Sequence, residues 1–287
     1  MRDYIIYTDS SCDLPDEMLS KLGVRSASLT FRFTDDNTEY KNSDMEIGDF
    51  YERMRKGGVA KTAAVNSETF LLEFEKILNE GYDILYLGFS SGLSTTYNSA
   101  RIAATELGGK YPESKLIIVD TLCASAGGGL LVKMASDKKA AGASIEEVAE
   151  YVEKIKLNVC HWFTVDDLVY LKRGGRVSAA TAFVGNMLGI KPVMHVDNEG
   201  HLINVNKVRG RKTAVNALAD KYGELHLDGE YEVFISHSDA MKDAQTLAEI
   251  IREKYGKQTS LITDVGAVIG AHSGPGTLAL FFIGKNR

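Results

Sequence analysis

Asp83-Ile84-Leu85-Tyr86-Leu87-Gly88-Phe89-Ser90-Ser91-Gly92-Leu93-Ser94-Thr95-Thr96-Tyr97 is the stretch on which the fold turns. Asp83 to Leu87 carries a continuous apolar run closed by Gly88, the pattern of a buried strand. From Thr96 to Leu107 apolar residues recur at helical spacing. Strand, tight turn and helix make the repeating unit of an α/β protein. The turn itself is built from small and hydroxylic residues. Small residues let backbone approach a ligand, and a helix N-terminus offers unpaired N–H groups at the positive end of its dipole. Ser90, Ser91, Ser94 and Thr95 add donors, so the turn suits an anionic head group, a phosphate or a carboxylate. The plainer role for Ser94 or Thr95 is to cap the helix.

Outward from this stretch the same alternation recurs. Tyr4 to Tyr7 reads as a strand, Pro15 opens a helix, and Leu29, Phe31 and Phe33 alternate as a half-buried strand. Helices are expected over Ile47–Met54 and Ser67–Leu78, a strand over Leu116–Val119 and a buried helix over Gly127–Ser136. Ser144 with Glu147 forms a capping box, which starts an amphipathic helix bearing Val148, Tyr151, Val152 and Ile155 on one face. Near Asn158 the pattern changes. The boundary is therefore expected between a domain of residues 1–158, mostly parallel, and one of residues 159–287, mixed or antiparallel. In the second half, Cys160–Val165 reads as a strand. Short helices are expected at Asp167–Lys172 and Ser178–Leu188. Pro192–Val196 and His201–Val208 form a hairpin across Asp197-Asn198-Glu199-Gly200. A helix over Thr213–Tyr222, a strand over Glu232–Ser236, a helix over Ala240–Tyr255 and strands at Ser260–Thr263 and Thr277–Ile283 follow.

Composition limits the function classes. The 287 residues are 44% hydrophobic and 25% charged, which excludes a disordered chain. A net charge of −6 argues against a general nucleic-acid binder. Cys12, Cys123 and Cys160 are odd in number and contain no C-x-x-C pair, so buried, reduced thiols of a cytoplasmic protein are expected. The N-terminus has no signal-peptide pattern, and the longest apolar runs fall far below the roughly 18–20 residues that span a bilayer.

Four features carry candidate chemistry. The turn contains G-x-S-x-G, the nucleophile elbow of α/β-hydrolases, with Ser90 as nucleophile, His272 as base and Asp264 as orienting acid. Against a hydrolase, Leu93-Ser94 intervene before the helix and no HGGG-type segment occurs. His272 lies in Gly270-Ala271-His272-Ser273-Gly274-Pro275-Gly276, and the glycines predict an exposed loop. A histidine there suits a carboxylate partner, which would raise its pKa. Thr8-Asp9-Ser10-Ser11-Cys12-Asp13 offers groups for a metal or a hydroxylic substrate, or plain capping and loop hydrogen bonds. Finally, residues 168 to 219 hold two acids, Asp197 and Glu199, against eight bases: Lys172, Arg173, Arg176, Lys191, Lys207, Arg209, Arg211 and Lys212. That localised positive face fits an acidic protein, a nucleotide or an anionic membrane.

Taken in order, six segments resemble the DegV family of bacterial fatty-acid-binding proteins. They are the Thr8–Leu14 segment, Ser90 to Ala100, Val119-Asp120-Thr121 with Gly127 to Leu130, Leu171 to Ser178, Gly189 to Val193, and Gly270 to Gly276. The resemblance implies a two-domain DegV-like α/β fold with one long-chain fatty acid in a tunnel between the domains. Its carboxylate is then held by Thr62 and Ser94, with His272 beside them, and its chain by Phe183, Met187, Leu188 and Ile190. The same resemblance implies a carrier with no covalent chemistry and no cofactor. It hands the acid to an ATP-dependent fatty acid kinase, which makes acyl phosphate for phospholipid synthesis. On this reading Arg173, Arg209 and Arg211 dock the kinase. Two positions depart from the pattern: the usual Thr-Ser-Gln-Pro-Ser/Thr loop reads Thr62-Ala63-Ala64-Val65-Asn66, and Thr95 stands where glycine is usual.

Overall fold

A computed structural model describes residues 2–178 and 189–287. The first half contributes seven strands: β1 (Tyr4–Asp9), β2 (Arg25–Ala27), β3 (Thr30–Phe33), β4 (Tyr40–Lys41), β5 (Ala60–Ala63), β6 (Asp83–Gly88) and β7 (Leu116–Asp120). The second contributes β8 (Val159–Thr164), β9 (Ile190–Val196), β10 (Leu202–Arg209), β11 (Phe234–His237), β12 (Leu261–Asp264) and β13 (Leu278–Ile283). The helices are α1 (Asp16–Leu22), α2 (Ile47–Arg55), α3 (Ser67–Asn79), α4 (Thr96–Lys110), α5 (Ala126–Ala140) and α6 (Ile145–Ile155). After them come α7 (Val169–Arg173), α8 (Arg211–Leu225), α9 (Met241–Tyr255) and α10 (Ala267–Ser273). The helix expected over Ser178–Leu188 falls, from residue 179 on, outside the described residues.

Three sheets result. The first, in order β2-β1-β6-β7, is parallel throughout. Its strands β1 and β6 are almost wholly buried, as expected of a sheet covered on both faces. The third, in order β10-β9-β8-β13-β11-β12, is antiparallel except for the parallel β11–β12 pair at its edge. The expected hairpin is β9–β10, with a register shift between Asn204 and Asn206. The Ser144–Glu147 capping box forms at α6, with both reciprocal bonds present.

Of the second sheet, antiparallel in order β4-β3-β5, only the expected central strand β3 was legible. Tyr40-Lys41 and Ala60-Lys61-Thr62-Ala63 are too short and too poor in β-branched or aromatic residues to read as strands. They become strands by pairing with β3, whose Phe31 and Phe33 face α2 and pack on Phe50, Tyr51 and Ala271. Between α3 and the parallel sheet, Tyr7, Phe70, Phe74 and Tyr86 form a buried aromatic cluster.

The parallel sheet fixes where a ligand can sit. From β1 the chain goes to β2 on one side, while β6 lies on the other. In such a sheet the crevice opens beyond the carboxyl ends of the two strands at which the order reverses. Here that point is the pair β1–β6, followed by Ser10–Asp13 and by the Phe89–Thr95 turn.

Candidate functional site

Buried carboxyl and hydroxyl groups hold the Phe89–Thr95 turn. Asp9, at the end of β1, accepts hydrogen bonds from Phe89 N (3.0 Å), from the Tyr86 hydroxyl (2.7 Å) and from Ser11. Asp9 caps the following 3-10 turn, the plainer of the roles open to the Thr8–Asp13 segment. Gly88 is required because a Cβ there would lie 2.6 Å from the Tyr86 ring. Ser94 Oγ accepts the Thr96 N–H at 3.2 Å and bonds the Thr96 hydroxyl at 2.9 Å, so Ser94 does cap the first turn of α4. It also lines a cavity.

That cavity, about 710 Å³, lies between the first-half turn and the second-half sheet. Its walls are mainly apolar, with Phe89, Leu93, Phe163, Leu202, Ile269 and Phe281 among them. Thr62, Ser94 and His272 all line it, brought together from β5, the β6–α4 turn and α10. Phe183, Met187 and Leu188 lie outside the described residues. Ile190 is not among the described lining residues. It opens β9, whereas Val196 at the other end of that strand does line the cavity; the strand between them spans roughly 20 Å.

His272 is not on an exposed loop. It sits near the end of α10, whose glycines serve close approach rather than flexibility. A Cβ on Gly270 would lie 2.3 Å from the Tyr51 hydroxyl. A Cβ on Gly174 would lie 2.1 Å from His272 Nδ1. His272 Nε2 bonds Thr62 Oγ1 at 2.8 Å, while its buried Nδ1 has no partner. An orphaned buried N–H is rarer than an orphaned lone pair, so we assign the proton to Nε2. Thr62 then accepts from His272 and keeps its own O–H to donate into the cavity. Burial and, secondarily, Arg176 push the His272 pKa down to about 4, opposite to the rise expected beside an anion. A carboxylate beside the ring would reverse that. The His272 ring, followed by NMR, is expected to titrate near pH 4 in the free protein and at higher pH with a carboxylate ligand bound. An unchanged midpoint would place the anion elsewhere.

Arg176 was not singled out as a ligand residue, yet it lines the cavity half-buried. Its Nε and Nη2 both donate to the Leu93 carbonyl, at 3.1 and 3.0 Å, joining the basic loop to the head-group turn. Among the described residues no carboxylate pairs with it, and none of those lining the cavity is acidic. Burial lowers its pKa. A half-buried guanidinium without an anionic partner is costly, which suits this end of the cavity to an anion.

The elbow triad does not assemble. Ser90 is fully buried, donates to Gly200 O at 2.8 Å and accepts from Gly92 N at 3.2 Å. His272 is committed to Thr62, and Asp264 lies 3.4 Å from His237. Ser90 instead wedges the turn onto the β9–β10 hairpin. Gly92 and Gly200 allow this contact, since a Cβ on either would strike the opposing segment.

The three arginines expected to dock a kinase, which needs them exposed, divide. Arg209 on β10 is exposed, with no ion-pair partner among the described residues. Arg173 is exposed at the cavity wall, over the Tyr170 ring. Arg211 departs from the expectation: its guanidinium turns inward, bonding Asp243 at 2.8 Å with Asp166 at 3.7 Å, because α8 begins there and packs that side chain on the neighbouring acids. Asn66, at a departure from the family loop, caps α3 by accepting from Thr69 N at 2.8 Å. No helix among the described residues is long and apolar enough to cross a membrane.

Comparison with known proteins gives the family. The model described as "Uncharacterised protein, DegV family" matches residues 4–285. A DegV domain-containing protein of Clostridium perfringens is 45% identical over 291 residues, covering 100% of this chain and 99% of its own length. A fatty acid-binding protein of Thermotoga maritima is 36% identical over 279 residues, covering 95% of each. Among solved structures, a fatty-acid-binding DegV family protein of Thermus thermophilus superposes with a TM-score of 0.87 at 28% identity, covering 99% of this chain and 100% of the other. This chain belongs to the DegV family.

Proposed function

We propose that this chain is a non-catalytic carrier of one long-chain fatty acid, held between domains of residues 1–158 and 159–287. Its carboxylate is presented to an ATP-dependent kinase for acyl-phosphate formation. The observation that carries this reading is the pairing of an apolar cavity with one end that offers Thr62, Ser94 and the unpaired Arg176 to an anion. About sixteen methylenes at ~0.8 kcal/mol each supply on the order of 13 kcal/mol of gross burial, before ordering costs. The tail therefore dominates affinity, and the head-group residues fix orientation. Relatives that bind fatty acids support the choice of ligand. The buried, hydrogen-bonded Ser90 speaks against the hydrolase reading.

Kinase docking belongs to the exposed cations. Arg173 and Arg209 carry it on this reading, while Arg211, held by Asp243 and Asp166, shapes the start of α8. Arg209→Ala is expected to leave fatty-acid affinity nearly unchanged. Acyl-phosphate formation with the partner kinase is expected to fall sharply, and more so at low protein concentration, because electrostatic docking mainly raises association rate. Raising the salt should shrink the wild-type advantage. Loss of fatty acid from Arg209→Ala with normal turnover per bound ligand would overturn the docking assignment.

A further inference from the structure

Asp13 is the last residue of the Thr8–Asp13 segment, and the head-group site makes no use of it. It is buried and left-handed, with φ +50°. Its carboxylate accepts the Ser125 hydroxyl (2.5 Å) and Gly266 N–H (3.0 Å), and its carbonyl accepts the Thr263 hydroxyl (3.2 Å). Ser125 Oγ in turn lies 3.0 Å from Ser236 Oγ on β11. One small side chain thus joins the parallel sheet's loops, the start of α5, β11 and the start of α10. Ser125 and Ser236 both line the cavity, one from each half of the sequence.

We propose that Asp13 is a positioning residue that clasps the two walls of the cavity, and that parting of the Asp13–Ser125–Ser236 link sets the rate of ligand exchange. The second clause rests on the ligand-binding reading above. The link has a built-in pH dependence. Burial, with Asp264 and Asp9 adding to it, pushes the Asp13 pKa up to about 7 in the closed protein. When the link opens to water, the carboxyl returns toward the ordinary value of about 3.9. Ionisation favours the state with the lower pKa, so opening becomes easier as pH rises from about 4 to about 7, and levels off above. The groups facing Asp13 are Asp9 from β1, Cys12 from the 3-10 turn, Tyr51 from α2 and Asp264 from β12, itself beside His237. The first turns of α5 and α10 carry no acid.

The test uses the full chain with cis-parinaric acid as the fluorescent probe. Its release rate and the exchange protection of Gly266 N–H, corrected for intrinsic exchange, are measured from about pH 5 to about pH 7.5. In the wild type, release is expected to accelerate at least about tenfold over that range while protection falls in parallel. Asp13→Asn keeps the size and tolerates the left-handed backbone, so it is expected to fold and to flatten both profiles. Ser236→Ala is expected to accelerate release severalfold while keeping the pH dependence. A wild-type release rate independent of pH, or an Asp13→Asn profile as steep as the wild type, overturns the proposal. Protection that changes with pH while release does not would overturn the gating role and leave the binding reading intact. Failure of the wild type to bind the probe at all would overturn the binding reading, and the gate with it.

Discussion

Arg176→Gln is expected to weaken binding of a free long-chain fatty acid by roughly ten- to a hundredfold. Glutamine keeps a donor for the Leu93 carbonyl, so the turn stays in place while the charge is lost. Hydrogen bonds to charged groups are worth about 1.5–3 kcal/mol, and removal of a half-buried cation that has no carboxylate partner among the described residues leaves a bound carboxylate without that counter-charge. The corresponding fatty alcohol, which needs no counter-charge, should bind the variant and the wild type almost equally. Isothermal titration with both ligands separates the two terms. Equal losses for acid and alcohol would mean that Arg176 only braces the turn.

Ser94→Ala carries the second large expectation, a loss of about tenfold or more for the free acid and much less for its methyl ester. Ser94 has two tasks, and the comparison divides them. As a cap it accepts the Thr96 N–H, and its loss costs stability of about 1 kcal/mol whatever ligand is present. As a donor its hydroxyl reaches only a ligand that accepts strongly. A stability loss with matching affinity losses for acid and ester would reduce Ser94 to a helix cap.

The turn that carries Ser94 was legible because its two flanks have opposite periodicities and its interior has almost no bulky side chain. The hairpin and the Ser144 capping box were legible for the same reason: each is specified by residues close in sequence. What escaped was set by contacts distant in sequence. The glycines of α10 read as a loop because sequence shows conformational freedom but not the Tyr51 hydroxyl packed against Gly270. Arg176 was hidden in a run of basic residues. Its exposure differs from that of Arg173, three positions away, because Leu93 from the other half of the chain captures its guanidinium. Ser90 matched a hydrolase motif whose spacing is local, and its partner Gly200 lies 110 residues further on. In the same way the small β4-β3-β5 sheet, which brings Thr62 to His272, exists through tertiary pairing alone.

Native mass spectrometry of the purified chain tests the central claim most directly. The account predicts one co-purifying ligand per chain with the mass of a long-chain fatty acid, released on denaturation and recovered as the free acid. It also predicts that Arg176→Gln carries measurably less. A chain that is uniformly empty after gentle purification, and that takes up no added long-chain acid, would contradict it.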